Sequence, residues 1–225
     1  NMNYQENGAG YLKLMMTQFP AKIFNSLLPK NTQANAMLNI NTDLTRNNHR
    51  QLSGFVKIST DSSSTIQYTE KINESIALPK TTFTALFDNN GLMLNLLLDT
   101  TPTPSIASVN LPGYFGERLP EKSQPLSGNI NLNMSSLKFL SLIIPDISHT
   151  NGQLTTNLKA TGSYGYPLFT GNIQIKNANT TVSDLGVAFD KINFLFEANN
   201  SDQFDITGSI NSGNSQLAVN GNAGI

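Results

Sequence analysis

The chain has no cysteine and no tryptophan, and only 13% of its 225 residues are charged. Without cysteine it can form no disulfide, ligate no iron–sulfur cluster and offer no thiol nucleophile. That absence fits a bacterial envelope protein, and fits many cytosolic domains equally well. Histidine is nearly as scarce. His49, in Asn47-Asn48-His49-Arg50, and His149, in Ser148-His149-Thr150, sit in turn-like contexts with no second histidine or carboxylate at ligand spacing. That pattern speaks against a metal or general-base centre. Lys and Arg total 14 and Asp and Glu 15, for a net charge of −1, and no basic stripe interrupts the balance. The electrostatic footprint that nucleic-acid binding requires is missing.

Long apolar runs are missing too. None reaches the roughly 18 residues that a membrane-spanning helix needs. Asn1-Met2-Asn3-Tyr4-Gln5 has neither the basic region nor the apolar run of a secretory leader. Alternating pattern reaches almost to both ends (Leu12, Leu14 and Met16; Leu217 and Val219), so the chain reads as a piece of something longer whose targeting signal lies elsewhere. Motifs that carry chemistry are also incomplete. Asp88-Asn89-Asn90-Gly91 lacks the later bidentate Glu of a calcium loop and reads as a hairpin turn. In Gly162-Ser163-Tyr164-Gly165 the second Gly comes one residue too early for a nucleophile elbow. No catalytic residue, cofactor or metal is expected.

What the chain does hold is Asn (30 copies), Ser plus Thr (42 copies) and 38% hydrophobic residues, arranged at period two. Polar residues of this kind supply the outer faces of strands and the turns between them. Alternation predicts strands through Leu12–Met16, Leu38–Leu44, Gly54–Ile58, Ile66–Tyr68, Ile76–Leu78, Phe83–Phe87 and Leu92–Leu98. It resumes in Ile130, Leu132 and Met134 and continues to the end of the chain. Residues 100–125 carry five prolines and read as an irregular crossing. Period-four spacing at Phe19, Ile23 and Leu27, and the single stripe of Leu137, Leu140 and Ile144, predict two short amphipathic helices near 19–28 and 135–144. Ser135 or Ser136 is placed to cap the second, and Pro29 and Pro145 to stop them. Their apolar stripes are expected to be buried against the sheet, the alternative being that they lie over, or gate, an apolar groove.

The two inserts repeat. Leu28-Pro29 and Ile144-Pro145 lie at one offset, at which Leu38 also matches Leu154 and Asn41 matches Asn157. One residue later in register, Gly54-Phe55-Val56-Lys57-Ile58 matches Gly171-Asn172-Ile173-Gln174-Ile175. Internal repetition of this kind is the mark of stacked, elongated architectures. The fold class predicted is all-β, with one long antiparallel sheet carrying two short helices. Residues 1–110 and 111–225 are read as two repeats of one continuous unit. Whether the apolar faces pack together as a filled sandwich or line an open groove is not decided by alternation. The aliphatic and Phe side chains of Leu92–Leu98, Phe194, Phe196 and Phe204 would serve either.

The stretch Pro125–Ile225 resembles the C-terminal region of the TamB family, of the translocation and assembly module. The residues that carry the resemblance are Leu126-Ser127-Gly128, Ile144-Pro145-Asp146, Gly152-Gln153-Leu154, Gly162, Pro167-Leu168-Phe169-Thr170-Gly171, Asn177-Ala178, Asp184-Leu185-Gly186-Val187, Ser212-Gly213-Asn214 and Gly221, in that order. The resemblance implies a long sheet curled into a half-open tube with an apolar interior, in an inner-membrane-anchored periplasmic protein. It further implies movement of phospholipid acyl chains to the outer membrane, or assembly of outer-membrane proteins with a TamA-type barrel. The residues expected to line such a groove are Leu92, Leu94, Leu96, Leu98, Ile130, Leu132, Met134, Leu154, Leu158, Ile173, Ile175, Phe194, Phe196, Phe204 and Ile206.

Overall fold

The structure, a computed structural model, describes residues 2–4, 8–28, 32–68, 75–144 and 146–224. Its strands in the first half of the chain are β1 (Met2–Tyr4), β2 (Gly10–Pro20), β3 (Thr32–Asn35), β4 (Met37–Arg46), β5 (Leu52–Thr60), β6 (Thr65–Tyr68), β7 (Ser75–Ala77), β8 (Thr81–Asp88), β9 (Gly91–Leu98) and β10 (Ser105–Pro112). There follow β11 (Ser127–Met134), β12 (Ile147–Ser163), β13 (Tyr166–Val182), β14 (Val187–Ser201), β15 (Gln203–Ser212) and β16 (Ser215–Gly224).

Thirteen of these form one sheet in the order β1-β2-β4-β5-β8-β9-β10-β11-β12-β13-β14-β15-β16. Each strand pairs antiparallel with the next, and the sheet does not close on itself. At about 4.8 Å per strand it is roughly 55–60 Å across. The remaining three, β3-β6-β7, make a separate small sheet. Strands had been expected at Ile66–Tyr68 and Ile76–Leu78, but within one continuous sheet. They are instead part of an excursion between β5 and β8, and Leu78 lies just beyond β7.

The proline-rich segment also differs from its expected form. Residues 105–112 are strand β10, bonded on both sides to β9 and β11, and only the flanking stretches are irregular. Pro102, Pro104 and Pro112 lie outside the strand or at its last residue, where a missing N–H costs no ladder bond. Because β10 includes residues 110 and 111, the sheet runs without a break through the boundary expected there.

Both helical inserts are shorter than expected. The first is a 3-10 helix over Ala21–Leu27, after β2 has continued to Pro20, and the second is a single turn, α1 (Leu140–Ile143). Ser135 and Ser136 do not cap α1, which begins after Phe139 with no side-chain cap. Ser136 Oγ instead accepts the Lys138 amide at 3.4 Å. The stripe is not uniformly buried: Leu137 is 2% exposed, while Ile23 and Phe24 are 55% and 42% exposed. A 3-10 helix turns every three residues, so period-four positions scatter around it. Pro29 and Pro145 lie outside the described residues.

Three extra residues bend the strands, and each has its freed amide captured by a neighbouring strand. Gln18, Asn177 and Asn200 all have positive φ. Their N–H groups donate to Asn39 Oδ1 (3.2 Å), Asn193 Oδ1 (3.0 Å) and Thr170 Oγ1 (3.1 Å) respectively. Bulges of this kind increase local twist and curve a strand. Part of the abundance of Asn therefore has a structural cause.

Candidate functional site: an apolar trough

Directly opposed residues of an antiparallel pair point to the same face, so the register fixes what each face carries. Across ten strands one row reads Met16–Ile40–Ile58–Phe83–Leu96–Ala107–Ile130–Leu158–Gly171–Ala198. The row beside it reads Leu14–Thr42–Val56–Ala85–Leu94–Val109–Gly128–Ala160–Phe169. In the C-terminal strands the face continues as Leu132–Thr156–Ile173–Phe196–Ile206–Gly221 and Met134–Leu154–Ile175–Phe194–Gly208–Val219. None of these four rows contains a charged residue. The opposite face is polar across the C-terminal strands, for example Asn131–Asn157–Asn172–Glu197–Asp205–Asn222, and mixed in β5, β8, β9 and β10, where Phe55, Leu86, Met93, Leu97 and Ile106 lie on it.

All fifteen residues singled out in the sequence lie on the apolar face. Leu158 and Phe204 are buried, at 6% and 7% exposed, and the rest are half-buried. Leu158, Ala198 and Phe204 form the tightest cluster, with Ile130, Phe169, Ile173 and Phe196 packed around it. The Phe169 and Phe204 rings meet at 5.7 Å, and Phe194 stacks on Phe196 at 5.9 Å. Many further residues share the apolar face without having been singled out in the sequence, among them Ile40, Val56, Ile58, Phe83, Phe87, Val109 and Leu111. Their period-two alternation was the available signal.

Among the described residues, no second sheet covers the face. The total accessible surface is 13884 Å², against about 10,000 Å² for a compact monomer of 24.5 kDa. A filled sandwich would bury its central rows almost completely. Here Leu94, Leu96, Val109 and Ile130, in the middle of the sheet, are only half-buried. The sheet is an open trough with an apolar lining.

Structures at the two rims partly overhang it. At one rim the small sheet and the segment before α1 enclose an apolar cavity of about 480 Å³, lined by Ile76, Leu78, Met134 and Phe139 among others. At the other rim the connection between β10 and β11 folds back over the strand ends. The Leu52 amide donates to the Phe115 carbonyl at 2.8 Å. Gly116 lies so close to Leu52 and Phe87 that a Cβ on it would be 2.7 Å from Leu52 Cδ1. Tyr114 Oη donates to the Arg118 carbonyl at 2.6 Å. Burial raises the Tyr114 phenol above its ordinary pKa, with Glu117 and then Tyr164 adding to the shift. Among the described residues, no three His, Asp or Glu side chains come together as a metal site, and no helix is long and apolar enough to cross a membrane.

The family model described as TamB, N-terminal domain, matches residues 2–175. The chain belongs to the TamB family. The match runs from β1 into β13 and so takes in most of the trough. No curated protein and no solved structure matches the chain. The sequence resemblance pointed to the C-terminal region of TamB, whereas the matching model is of its N-terminal domain, and the C-terminal assignment is not supported. The structure gives a reason. A main-sheet strand, a helical insert and two further main-sheet strands occur both as β2, β4 and β5 and as β11, β12 and β13, so short motifs from one such unit do not fix its place in a long chain.

Proposed function

We propose that this TamB-family chain forms part of a periplasmic bridge between the inner and outer membranes, along which phospholipid acyl chains travel for outer-membrane biogenesis. The observation that carries the proposal is an apolar face, continuous across the sheet and left open, whose four central rows carry no charge. Residues 1–110 and 111–225 act as successive lengths of one trough, within a longer protein anchored in the inner membrane by a segment outside this chain. At the outer membrane the full-length protein meets a TamA-type barrel. Transport of this kind has no catalytic step and needs no cofactor.

The energetics are favourable without a tight site. Exposing an acyl chain to water costs about 0.8 kcal/mol per CH₂, or roughly 12 kcal/mol for sixteen carbons. A continuous apolar floor removes most of that cost at every position, so the chain can slide instead of being held. A charged side chain on the floor would interrupt it, because an unpaired charge against hydrocarbon is strongly unfavourable. Ile130→Asp combined with Phe196→Arg, in full-length protein that still folds, is expected to abolish complementation of a deletion strain. Full complementation by that folded variant would refute the proposal.

One observation favours a second reading, in which the protein templates outer-membrane strands. Among the described residues, strand β16 pairs only with β15 and is exposed along nearly its whole length, an edge of the kind that takes up an added strand. On that reading, Asn220→Pro would impair assembly of outer-membrane proteins more than charges on the trough floor do.

A further inference from the structure

The chain has three arginines in all, Arg46, Arg50 and Arg118, and the fold brings all three to one rim of the trough. Arg46 ends β4 directly opposite Leu52, on the same face as Leu44 and Ile40. Its Nε donates to the Arg50 carbonyl at 3.4 Å. Arg50 and Arg118 line one cavity of about 670 Å³, bounded by the β10–β11 connection, with Tyr114 and Ser123 in its wall. The eleven lysines are spread over the rest of the chain.

From this placement we infer that the rim at Arg46, Arg50 and Arg118 is a site for the phosphodiester headgroup of a phospholipid whose acyl chains lie on the floor beside it. The inference rests on the acyl-chain reading above. Arginine presents a planar fork that matches phosphate oxygens in bidentate fashion, which lysine does not. The position is also right: along β4 the inward side chains run Ile40, Thr42, Leu44, Arg46, passing from apolar floor to cation at the rim. Gly116 packs against Leu52 at the same point, so cavity and floor adjoin. Two carboxylates share the cavity, Glu117 and Glu121, and Glu121 is ion-paired with Arg118. Both members of that pair are well exposed, and exposed pairs are weak, so a phosphate can take Glu121's place. Among the described residues Arg50 has no ion pair.

The test measures binding of three probes to the purified chain: dihexanoyl phosphatidylglycerol, dihexanoylglycerol and inorganic phosphate. The wild type is expected to bind the phospholipid more tightly than the uncharged diacylglycerol. Arg50→Gln with Arg118→Gln should weaken phospholipid binding about tenfold and leave the diacylglycerol unchanged. Glu121→Gln, which frees Arg118, should strengthen phospholipid binding, a change of opposite sign that loss of folding cannot produce. Equal binding of the phospholipid by wild type and the double-Gln variant overturns the headgroup site while leaving the trough reading intact. Binding of inorganic phosphate as tight as that of the phospholipid makes this a free-anion site and overturns it as well. Failure of the wild type to bind either lipid overturns both readings.

Discussion

Gly171 packs so tightly against Asn157 that a Cβ on it would stand 2.0 Å from the Asn157 carbonyl oxygen, and Gly54 stands in the same relation to the Asp43 carbonyl. Both glycines have φ above +100°. Each lies directly opposite a leucine of the trough floor, Leu158 and Leu44 respectively. The same backbone device thus recurs where the second and third strands of each unit meet. Gly171→Ala must both strain its backbone and displace a main-chain carbonyl, and is expected to cost about 2–4 kcal/mol. Gly213, whose φ is +56° and whose surroundings are open, is the control. Gly213→Ala should cost about 1 kcal/mol. Urea titration of the two variants measures the difference.

Asn193 holds a bulge from both sides. Its Oδ1 accepts the Asn177 amide at 3.0 Å and its Nδ2 donates to the Lys191 carbonyl at 2.8 Å. Asn193→Ala is expected to cost about 1–2 kcal/mol. Amide exchange at Asn177 should accelerate well beyond that of the unaltered ladder at Thr155–Asn157. Asn193→Asp keeps the acceptor and loses the donor, and its effect should fall between the two.

An open trough distributes its stability unevenly. Phe204 and Leu158 lie in the tight cluster, so Phe204→Ala or Leu158→Ala should cost about 3–4 kcal/mol. Leu96 and Ile206 are equally apolar but half-buried on the same face. Leu96→Ala or Ile206→Ala should cost about half as much, since much of the side chain is already in contact with solvent. Thermal or chemical denaturation of the four variants checks the ratio. Equal costs at all four positions would indicate a filled interior.

Period two made the sheet legible in the sequence where inward and outward residues differ sharply in character. Ile130–Met134 is the clear example, with Asn131 and Asn133 outward, whereas Leu92–Leu98 turns Met93 and Leu97 outward as well. What alternation does not carry is which strands are neighbours, and so Ile66 and Ile76 looked like members of the main sheet when they belong to a small one at its rim. Local periodicity also overstated the helices. Phe19 begins a period-four stripe, yet β2 runs on through Phe19 and Pro20 because they pair with Leu38 and Met37 across the sheet, and that pairing outweighs a short helix. The trough floor was half visible, since the C-terminal strands alternate more cleanly than β4, β5 and β8. The rim arginines were invisible as a group. Arg46 and Arg118 are far apart in sequence, and only the fold-back of the β10–β11 connection brings that loop to the β4–β5 turn.

The central claim is that one face of the sheet touches lipid and the other does not, and adjacent residues of single strands can test it. A photo-crosslinking amino acid is placed in the full-length protein in cells, at Leu96, Ile130, Leu158 or Ile206 on the inner face. It is placed in turn at Asn95, Asn131, Asn157 or Asp205 on the outer face. The account predicts phospholipid adducts, identified by mass spectrometry, at all four inner positions and none at the outer four. Adducts absent from the inner positions, or equally abundant on both faces, would contradict it.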